Sequence, residues 1–365
     1  MPPRRAAAGA RRRLLVVAPN WLGDLIMCTP ALARLAASPA RETGDLELIL
    51  GVRSRWLALV ARDPRCDRLL PSPRRTGPAG VIGAGRAWRA LAPDAVLLMP
   101  PSLRVALAAR LAGIPRRIGQ VSDARGWLLT TAVPRRARGA RHYADELLDL
   151  AAAAEAALDL APPADPSPPP ALPAALRVPA DPRLAGKTPA WALATSGTYG
   201  DAKSWPAARA ASFVDRAVSE CGVRVLLLGD AAAKPAAAAV RAASRCVWRD
   251  DPAGGPGGVD LTGRTGLEEV VALLRGCAGF VGCDSGLMHL AASLGVPTLG
   301  LFGSTNPAWT APRGARVGFL AAEGFACSPC YRRRCPMTVY CLDTLDAARV
   351  LDRARELIQK TQEPG

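Results

Sequence analysis

The sequence is poor in aromatic residues and in histidine, and it contains no long uncharged apolar run. Phenylalanine, tyrosine and tryptophan make up 5% of its 365 residues, and two histidines are present. A membrane-spanning helix needs roughly 18 to 20 apolar residues in succession, which the sequence does not offer. The scarcity of stacking aromatics, together with the lack of helix-turn-helix, zinc-finger and RNA-binding signatures, disfavours nucleic acid as a partner.

Two common nucleotide-binding motifs are incomplete. The run 186–188 (Gly-Lys-Thr) resembles the end of a P-loop, but Asp181 stands where that motif requires its first glycine. The run 83–85 (Gly-Ala-Gly) begins like the dinucleotide fingerprint, yet Trp88 occupies the position of the third glycine. Kinases, ATPases and NAD-dependent dehydrogenases are therefore disfavoured.

Basic residues outnumber acidic ones, 47 to 31, which gives a net charge of +16. Such a balance favours an anionic partner such as a nucleotide, a phosphorylated lipid or nucleic acid. A genome rich in G and C also produces alanine, arginine and proline in excess, so part of the charge is compositional. We expect residues 1–13 to form a disordered basic tail and not a signal peptide.

Ten cysteines in a chain expected to be cytoplasmic argue against a disulfide framework. Six are scattered in apolar contexts and are interpreted as small core residues. The other four follow the spacing C-x2-C-x4-C-x5-C and are Cys327, Cys330, Cys335 and Cys341. A structural zinc ion or Fe–S cluster, a reduced cluster without metal and local disulfides all stay open, and we predict no required metal.

Short apolar runs alternate with helical patterns along the chain, which predicts α/β domains with doubly wound parallel sheets. Residues 71–85 are rich in proline, glycine and arginine and are predicted to form an exposed loop. A proline-rich stretch near the middle predicts a linker. The predicted divisions are an N-terminal domain at 14–160, a linker at 161–185, a C-terminal domain at 186–343, and a helix with a tail at 344–365.

A polar turn at 284–286 (Asp-Ser-Gly) separates an apolar strand at 278–281 from a predicted helix at 287–294. In open α/β sheets, ligands bind at the carboxyl ends of the strands. A helix start with free N–H groups also favours an anion. His289 lies on the first turn of this helix, where its ring could reach a bound phosphate. Ser285 either contacts such a phosphate or only caps the helix.

Three other places could carry chemistry. The loop 196–204 offers two glycines, the Thr198 hydroxyl and the Lys203 charge, and it is either an anion cradle or an ordinary turn with a solvated lysine. Asp24 follows the first strand, where it either caps a helix or acts as a general base facing an interdomain cleft. His142 opens a helix and is interpreted as structural or capping.

The chain resembles the ADP-heptose:lipopolysaccharide heptosyltransferases, most closely their heptosyltransferase II branch. The matching segments occur in the right order over nearly the whole chain, and 327–336 also resembles a loop of many members. They are N-W-L-G-D-L-I-M at 20–27, A-G-I-P-R-R-I-G at 112–119, S-G-T-Y-G-D-A-K-S-W-P at 196–206, D-L-T-G-R-T at 260–265, and C-D-S-G-L-M-H-L-A-A-S-L-G-V-P at 283–297.

The resemblance implies a GT-B fold, in which two Rossmann-like domains face each other across a cleft. It implies inverting, metal-independent transfer of L-glycero-D-manno-heptose from ADP-heptose to the inner core of lipopolysaccharide. Asp24 falls on the family's general base, and Lys203 is the second residue assigned to catalysis. Donor contacts fall on Thr198, Tyr199, Lys203, Asp230, Thr265, Asp284, Ser285, Gly286 and His289. Tyr199 departs from the family, where a second threonine is frequent, and Asp230 is only the nearest match to an acidic ribose contact.

The acceptor implied is a phosphorylated lipid A–core oligosaccharide. We expect it to contact Asn20 and Trp21 and a basic N-domain surface of Arg104, Arg116, Arg117 and Arg125. The protein is expected to be a cytoplasmic monomer, associated peripherally with the inner face of the cytoplasmic membrane. The alternatives are another sugar nucleotide or acceptor, a sugar-nucleotide epimerase or dehydrogenase on a similar architecture, and a non-enzymatic basic binding module.

Overall fold

The computed structural model describes residues 11–61, 63–72, 77–164, 178–197 and 199–359. Its described residues fall into two compact units. The first contains 11–137 and 143–164, and the second contains 138–142 and 178–359. The first ten residues of the predicted tail and positions 165–177 of the predicted linker lie outside the described residues.

The first unit is built on a six-stranded parallel sheet with the order β3-β2-β1-β4-β5-β6. Its strands are β1 (Arg12–Val17), β2 (Leu46–Arg53), β3 (Arg68–Ser72), β4 (Ala95–Leu98), β5 (Arg116–Gln120) and β6 (Thr131–Val133). Its helices are α1 (Leu22–Met27), α2 (Thr29–Ala36), α3 (Pro39–Glu42), α4 (Leu57–Val60), α5 (Gly77–Leu91), α6 (Leu103–Leu111) and α7 (Tyr143–Ala157).

The second unit is built on a seven-stranded parallel sheet with the order β13-β12-β11-β7-β8-β10-β9. Its strands are β7 (Ala190–Ala194), β8 (Arg224–Leu227), β9 (Trp248–Arg249), β10 (Gly257–Asp260), β11 (Gly279–Cys283), β12 (Thr298–Phe302) and β13 (Val317–Ala321). Its helices are α8 (Ala207–Cys221), α9 (Lys234–Ala243), α10 (Leu267–Gly276), α11 (Gly286–Ser293), α12 (Pro307–Thr310) and α13 (Ala347–Gln359).

The inner strands β4, β7 and β11 are apolar along their whole length, because helices cover both faces of a doubly wound sheet. All residues of β4, β7 and β11 are buried. The predicted parallel α/β architecture is therefore confirmed. Within the described residues, no helix has the length and apolar character that crossing a membrane requires.

The structure corrects three predictions about local structure. The predicted loop at 71–85 is instead largely the helix α5, whose glycines permit close packing: a Cβ at Gly85 would lie 3.2 Å from the Ala108 carbonyl oxygen of α6. The predicted tail is too long, because β1 begins at Arg12. Residues 178–185 of the predicted linker belong to the second unit, where the Leu184 side chain is buried against Gly276.

Candidate active site

The predicted polar turn lies at the carboxyl end of β11, where the chain enters α11. Ser285 is the N-cap of α11, and its hydroxyl accepts a hydrogen bond from the Met288 N–H at 3.5 Å. Gly295 ends this segment with φ +78°, a left-handed conformation that suits glycine after a helix. In this structure Ser285 therefore serves as a helix cap.

Asp284 is the centre of a buried polar cluster at this turn. Its Oδ2 accepts hydrogen bonds from Lys203 Nζ at 2.8 Å and from the Thr310 hydroxyl at 3.2 Å. Its Oδ1 lies 3.8 Å from Nε2 of His289, and both residues are buried. The cluster brings together the two segments that the sequence singled out separately, the 196–206 loop and the 284–289 turn.

The charge of Lys203 favours the ionised form of Asp284. Burial alone would raise the pKa of Asp284, but the Lys203 ammonium and the His289 ring hold the pKa of that carboxyl well below its usual range. Asp284 is therefore a permanent anion at neutral pH. Lys203 was predicted to face a ligand, and here it is already paired with a buried carboxylate.

The 196–206 loop is fixed by packing on its neighbours. A Cβ at Gly197 would lie 3.6 Å from the Cβ of Ser285, so the loop runs directly over the start of α11. Trp205 anchors its far end, because the indole Nε1 donates to the Leu345 carbonyl at 3.0 Å. Thr198, a predicted donor contact, lies outside the described residues.

Tyr199 connects this loop to the cysteine-rich segment. Its hydroxyl donates to the Tyr331 carbonyl at 2.9 Å. Lys203 Nζ and the Arg333 guanidinium lie 5.1 and 5.3 Å from the centre of its ring, within range of a cation–π interaction. The residue that departs from the family pattern thus has a defined place beside the lysine of the cluster.

Asp230 and Thr265 lie beyond the carboxyl ends of β8 and β10, on the same edge of the sheet as Asp284. Asp230 is exposed, and its Oδ1 accepts from the Ala232 N–H at 3.0 Å. The Thr265 hydroxyl is buried and has no hydrogen-bond partner within the described part of the chain.

Asp24 belongs to the first unit and lies on the first turn of α1, which begins at Leu22. A carboxylate in a first turn is favoured by the helix dipole. Asp24 is half-buried. Burial, followed by the Asp24 charge, raises the pKa of Tyr143 well above its usual value. The Asp24 carboxylate therefore lies close to the start of α7.

Asn20 and Trp21 precede α1 and differ in their contacts. The Asn20 Oδ1 accepts from Arg53 Nε at 2.7 Å, and its carbonyl accepts from the Trp56 indole at 3.0 Å. Trp21 has 45% of its surface exposed. Asn20 therefore holds the loop in place, whereas Trp21 presents an aromatic ring to solvent.

The predicted basic surface requires one correction. Arg125 has no exposed surface, and its guanidinium donates to the carbonyls of Gln120 at 2.9 Å and Pro100 at 2.6 Å. An arginine whose guanidinium is buried against these backbone carbonyls cannot be part of an acceptor-binding surface. Arg104 is exposed, as predicted, and Arg116 and Arg117 are partly exposed.

The four clustered cysteines border one small cavity beside the Asp201–Lys203 turn. None forms a disulfide, and Cys327 is exposed whereas the other three are partly buried. In the described ranges, no group of three or more His, Cys, Asp or Glu side chains is arranged to hold a metal ion. The structure therefore gives the zinc and Fe–S interpretations no support.

Sequence reasoning did not identify Arg138, which lies in the short 138–142 segment of the second unit. Its guanidinium lies 5.3 Å from the ring centre of Trp309 and 4.8 Å from that of Tyr331. Nε2 of His142, in the same segment, lies 2.9 Å from the Ala311 carbonyl oxygen. The structural interpretation of His142 agrees with this contact. Arg138 stands in an arginine-rich run, and the sequence does not reveal which of these arginines pairs with distant aromatic residues.

Residues 83–341, more than half of the chain, match the family described as glycosyltransferase family 9 (heptosyltransferase). Two relatives are each 28% identical over 319 residues, which is 82% of this chain and 85% of theirs. They are the lipopolysaccharide heptosyltransferases 2 of Salmonella typhimurium and Escherichia coli.

Two solved structures share the fold. The E. coli ADP-heptose lipopolysaccharide heptosyltransferase II superposes with a TM-score of 0.74 at 22% identity, covering 96% of this chain and 100% of that one. An E. coli heptosyltransferase solved with ADP superposes with a TM-score of 0.68 at 17% identity, covering 94% and 99%. The predicted GT-B fold is confirmed by these superpositions.

Proposed function

The chain belongs to glycosyltransferase family 9, the heptosyltransferases, and we propose that it transfers L-glycero-D-manno-heptose from ADP-heptose to the inner core of lipopolysaccharide. The two relatives at 28% identity are named lipopolysaccharide heptosyltransferase 2, and the similarity extends over 82% of the chain. The observation that carries the proposal is the Lys203–Asp284–His289 cluster at the start of α11. A cation beside a helix N-terminus suits a diphosphate.

The second unit holds the donor in this proposal. Lys203, His289 and the N–H groups at the start of α11 neutralise the diphosphate of ADP-heptose. As the bond from the anomeric carbon to the diphosphate oxygen breaks, negative charge grows on the departing ADP. Cationic and N–H groups that are already oriented stabilise that charge without rearranging. Such electrostatic stabilisation is usually the largest contribution to the rate enhancement in sites of this kind. Asp230 and Thr265, further along the same edge, are proposed contacts for the ribose and adenine.

The first unit supplies the base. Asp24 takes the proton from an acceptor sugar hydroxyl while the hydroxyl oxygen attacks the anomeric carbon from the face opposite ADP. The new bond forms as the bond to ADP breaks, so the configuration at that carbon is inverted. The carboxylate carries the proton away after the reaction, and no metal ion is needed to balance the step. Trp21 and the exposed Arg104 are proposed acceptor contacts.

The acceptor is lipid-linked, and we place the reaction at the inner face of the cytoplasmic membrane. The test compares ADP-heptose with other sugar nucleotides. A shift of the unfolding temperature with ADP and ADP-heptose, but not with the UDP and GDP analogues, is expected. Heptose transfer to heptose-deficient lipopolysaccharide should follow, with ADP released in equal amount. Stabilisation by a UDP- or GDP-sugar alone would instead assign another donor.

A further inference from the structure

The exposed face of α6 has an unusual composition for a helix on a soluble domain. Leu103, Leu107 and Leu111 have 40%, 36% and 45% of their surfaces exposed. The residues that α6 turns toward the sheet are small, and Ala106 and Ala109 are completely buried. A helix that covers a sheet ordinarily points its large apolar side chains inward. Here the leucines point outward and the alanines inward.

The three leucines form one continuous stripe because they are spaced four residues apart. Arg104 and Arg110 lie on the same side of the helix and are also exposed. This set of five residues, the α6 face, therefore combines a leucine stripe with two flanking cations. Lone exposed leucines are common on protein surfaces, but an apolar stripe rimmed by polar residues marks an interaction site.

The neighbouring helix α5 extends the same pattern. Ile82, with 46% of its surface exposed, lies on one side of α5 with the exposed Arg86 and Arg89. Arg89 donates to the Leu111 carbonyl at 2.5 Å, so this side of α5 borders the end of α6. The 3₁₀ turn that packs against α6 adds Trp127, with 76% exposed.

The charge of residues 77–122 indicates whether the α6 face binds a second copy of the chain or an anionic partner. Residues 77–122 contain six arginines and one acidic residue. That acid, Asp94, immediately precedes β4, and α6 follows the other end of this strand. The Asp94 carboxylate accepts a hydrogen bond from the Arg13 N–H. A second copy of the same surface would bring arginines against arginines, which is unfavourable. An anionic partner with an apolar interior fits both the leucines and the arginines.

We propose that the α6 face and the adjoining side of α5 dock on an anionic phospholipid bilayer. The leucines enter the boundary between headgroups and acyl chains, and the arginines contact lipid phosphates, as in helices that lie in a membrane interface. The proposal deepens the proposed function, because a lipid-linked acceptor is presented at a membrane. Its test measures vesicle binding and does not depend on transfer.

The test is sedimentation of the full chain with vesicles of phosphatidylglycerol mixed with phosphatidylcholine. The variant Leu103→Gln/Leu107→Gln/Leu111→Gln should bind these vesicles about a hundredfold more weakly, because three leucines lose their apolar contact with the bilayer. The matched control, Val247→Gln, changes a more exposed apolar residue of the second unit and should bind like the unchanged protein. The basic N-terminus is the same in all variants and cancels from the comparison.

A second pair of variants tests the charges. Arg104→Gln/Arg110→Gln should weaken binding about fivefold per arginine on the anionic vesicles. The control pair Arg245→Gln/Arg249→Gln removes the same charge from exposed positions of the second unit and should leave binding nearly unchanged. On vesicles of phosphatidylcholine alone, the two arginine variants and the unchanged protein should bind about equally.

Several outcomes would overturn the proposal. Equal vesicle binding by the leucine variant and the unchanged protein would exclude the α6 face, and so would equal losses from both arginine pairs. A leucine-dependent dimer in solution would assign the face to a second copy of the chain. The circular dichroism and ADP-induced stabilisation of each variant must match the unchanged protein. If the leucine variant, which alters none of the proposed donor or acceptor contacts, loses vesicle binding but still transfers heptose to a detergent-dispersed acceptor, the two proposals are separated.

Discussion

Each unit places an aspartate near the carboxyl end of one of its inner strands, but the two carboxylates meet different neighbours. Asp284 is buried against the Lys203 ammonium, which holds its pKa well below the usual range. Asp24 is half-buried, and its charge acts on the Tyr143 phenol and the Cys28 thiol, both of which burial keeps protonated. No cation-paired carboxylate with so low a pKa can take up a proton at neutral pH.

These different neighbours distinguish the roles of Asp284 and Asp24, which the sequence alone does not. Asp284 is paired with Lys203 and lies beside His289. In our proposal it orients these two residues and acts on the donor through them. Asp24 is the carboxylate available for proton transfer in our proposal.

Replacing Asp24 should have the largest effect. In Asp24→Asn the amide cannot accept the acceptor proton, so the transfer rate should fall about 10²- to 10⁴-fold. The affinity for ADP-heptose should not change, because the donor is assigned to the other unit. Single-turnover assays measure the transfer rate, and calorimetric titration with ADP measures the affinity of the donor site. Near-normal turnover in a folded Asp24→Asn protein would remove the base from the proposal.

Replacing Lys203 should damage both the donor site and the fold. Lys203→Met leaves the Asp284 carboxylate buried without its cation, which should lower the free energy of unfolding by about 3 to 5 kcal/mol. Transfer should fall about 10²- to 10³-fold as the charge on departing ADP loses its partner. Denaturant unfolding and transfer assays measure these losses.

The double variant separates the two effects of Lys203. Lys203→Met/Asp284→Asn removes both charges together and should recover most of the stability but none of the transfer. Lys187→Met is the matched control, because Lys187 is exposed, and it should change neither quantity. If the double variant regained transfer, Lys203 would serve only to neutralise Asp284.

The low pKa of Asp284 makes part of the stability depend on pH. Because its folded-state pKa lies below the ordinary value of 3.8, the unfolded chain takes up the proton first as the pH falls. The contribution of Asp284 to the free energy of unfolding is therefore fully present above the ordinary pKa of 3.8. It is lost as the pH falls from there toward the folded-state pKa. It amounts to about 1.4 kcal/mol for each unit by which the two pKa values differ.

The measurement compares the free energies of unfolding of the unchanged protein and of Asp284→Asn between about pH 5 and about pH 2. The difference between them should narrow below the ordinary pKa of 3.8, because the unfolded chain then takes up a proton at Asp284 and the variant cannot. A gap that stays constant would mean that the Lys203–Asp284 pair does not lower the pKa. Asp343→Asn, at a surface ion pair with Arg209, is the control and should show a small effect throughout.

The sequence was sufficient to predict the α/β architecture and the strand ends that carry polar groups. Apolar runs such as 298–302 match the strand boundaries because a strand covered on both faces must be apolar throughout. The helix α5 escaped prediction because its glycines favour turns locally. These glycines allow α5 to pack closely against α6, and this contact with another helix does not show in the local sequence pattern.

The candidate site was also predictable only in part. The turn at 284–286, His289 and Lys203 could be picked out from their positions after strands. The ion pair of Lys203 with Asp284 could not, because it joins residues 81 positions apart. Arg125 was misjudged because an arginine in a loop is ordinarily exposed, and only the structure shows the carbonyls that it binds from within.

The smallest expected effects concern the two cysteines beside these aspartates. Cys28 and Cys283 are completely buried, and burial raises the pKa of each thiol to about 12. The nearby aspartate charges raise these pKa values further but rank below burial as a cause. At neutral pH both cysteines should therefore resist iodoacetamide, because the thiolate is the reactive form.

Mass spectrometry of the labelled, folded protein measures the rate at each site. The exposed Cys327 should be labelled first, and Cys28 and Cys283 only at the rate of unfolding. Asp24→Asn removes a charge near Cys28 and should leave its labelling slow, because the removed charge is a smaller influence than burial. Asp284→Asn should leave Cys283 equally inert in the molecules that stay folded. Rapid labelling of Cys28 in Asp24→Asn alone would mean that the aspartate, and not burial, keeps that thiol protonated, and that Asp24 influences its surroundings as strongly as Asp284 does.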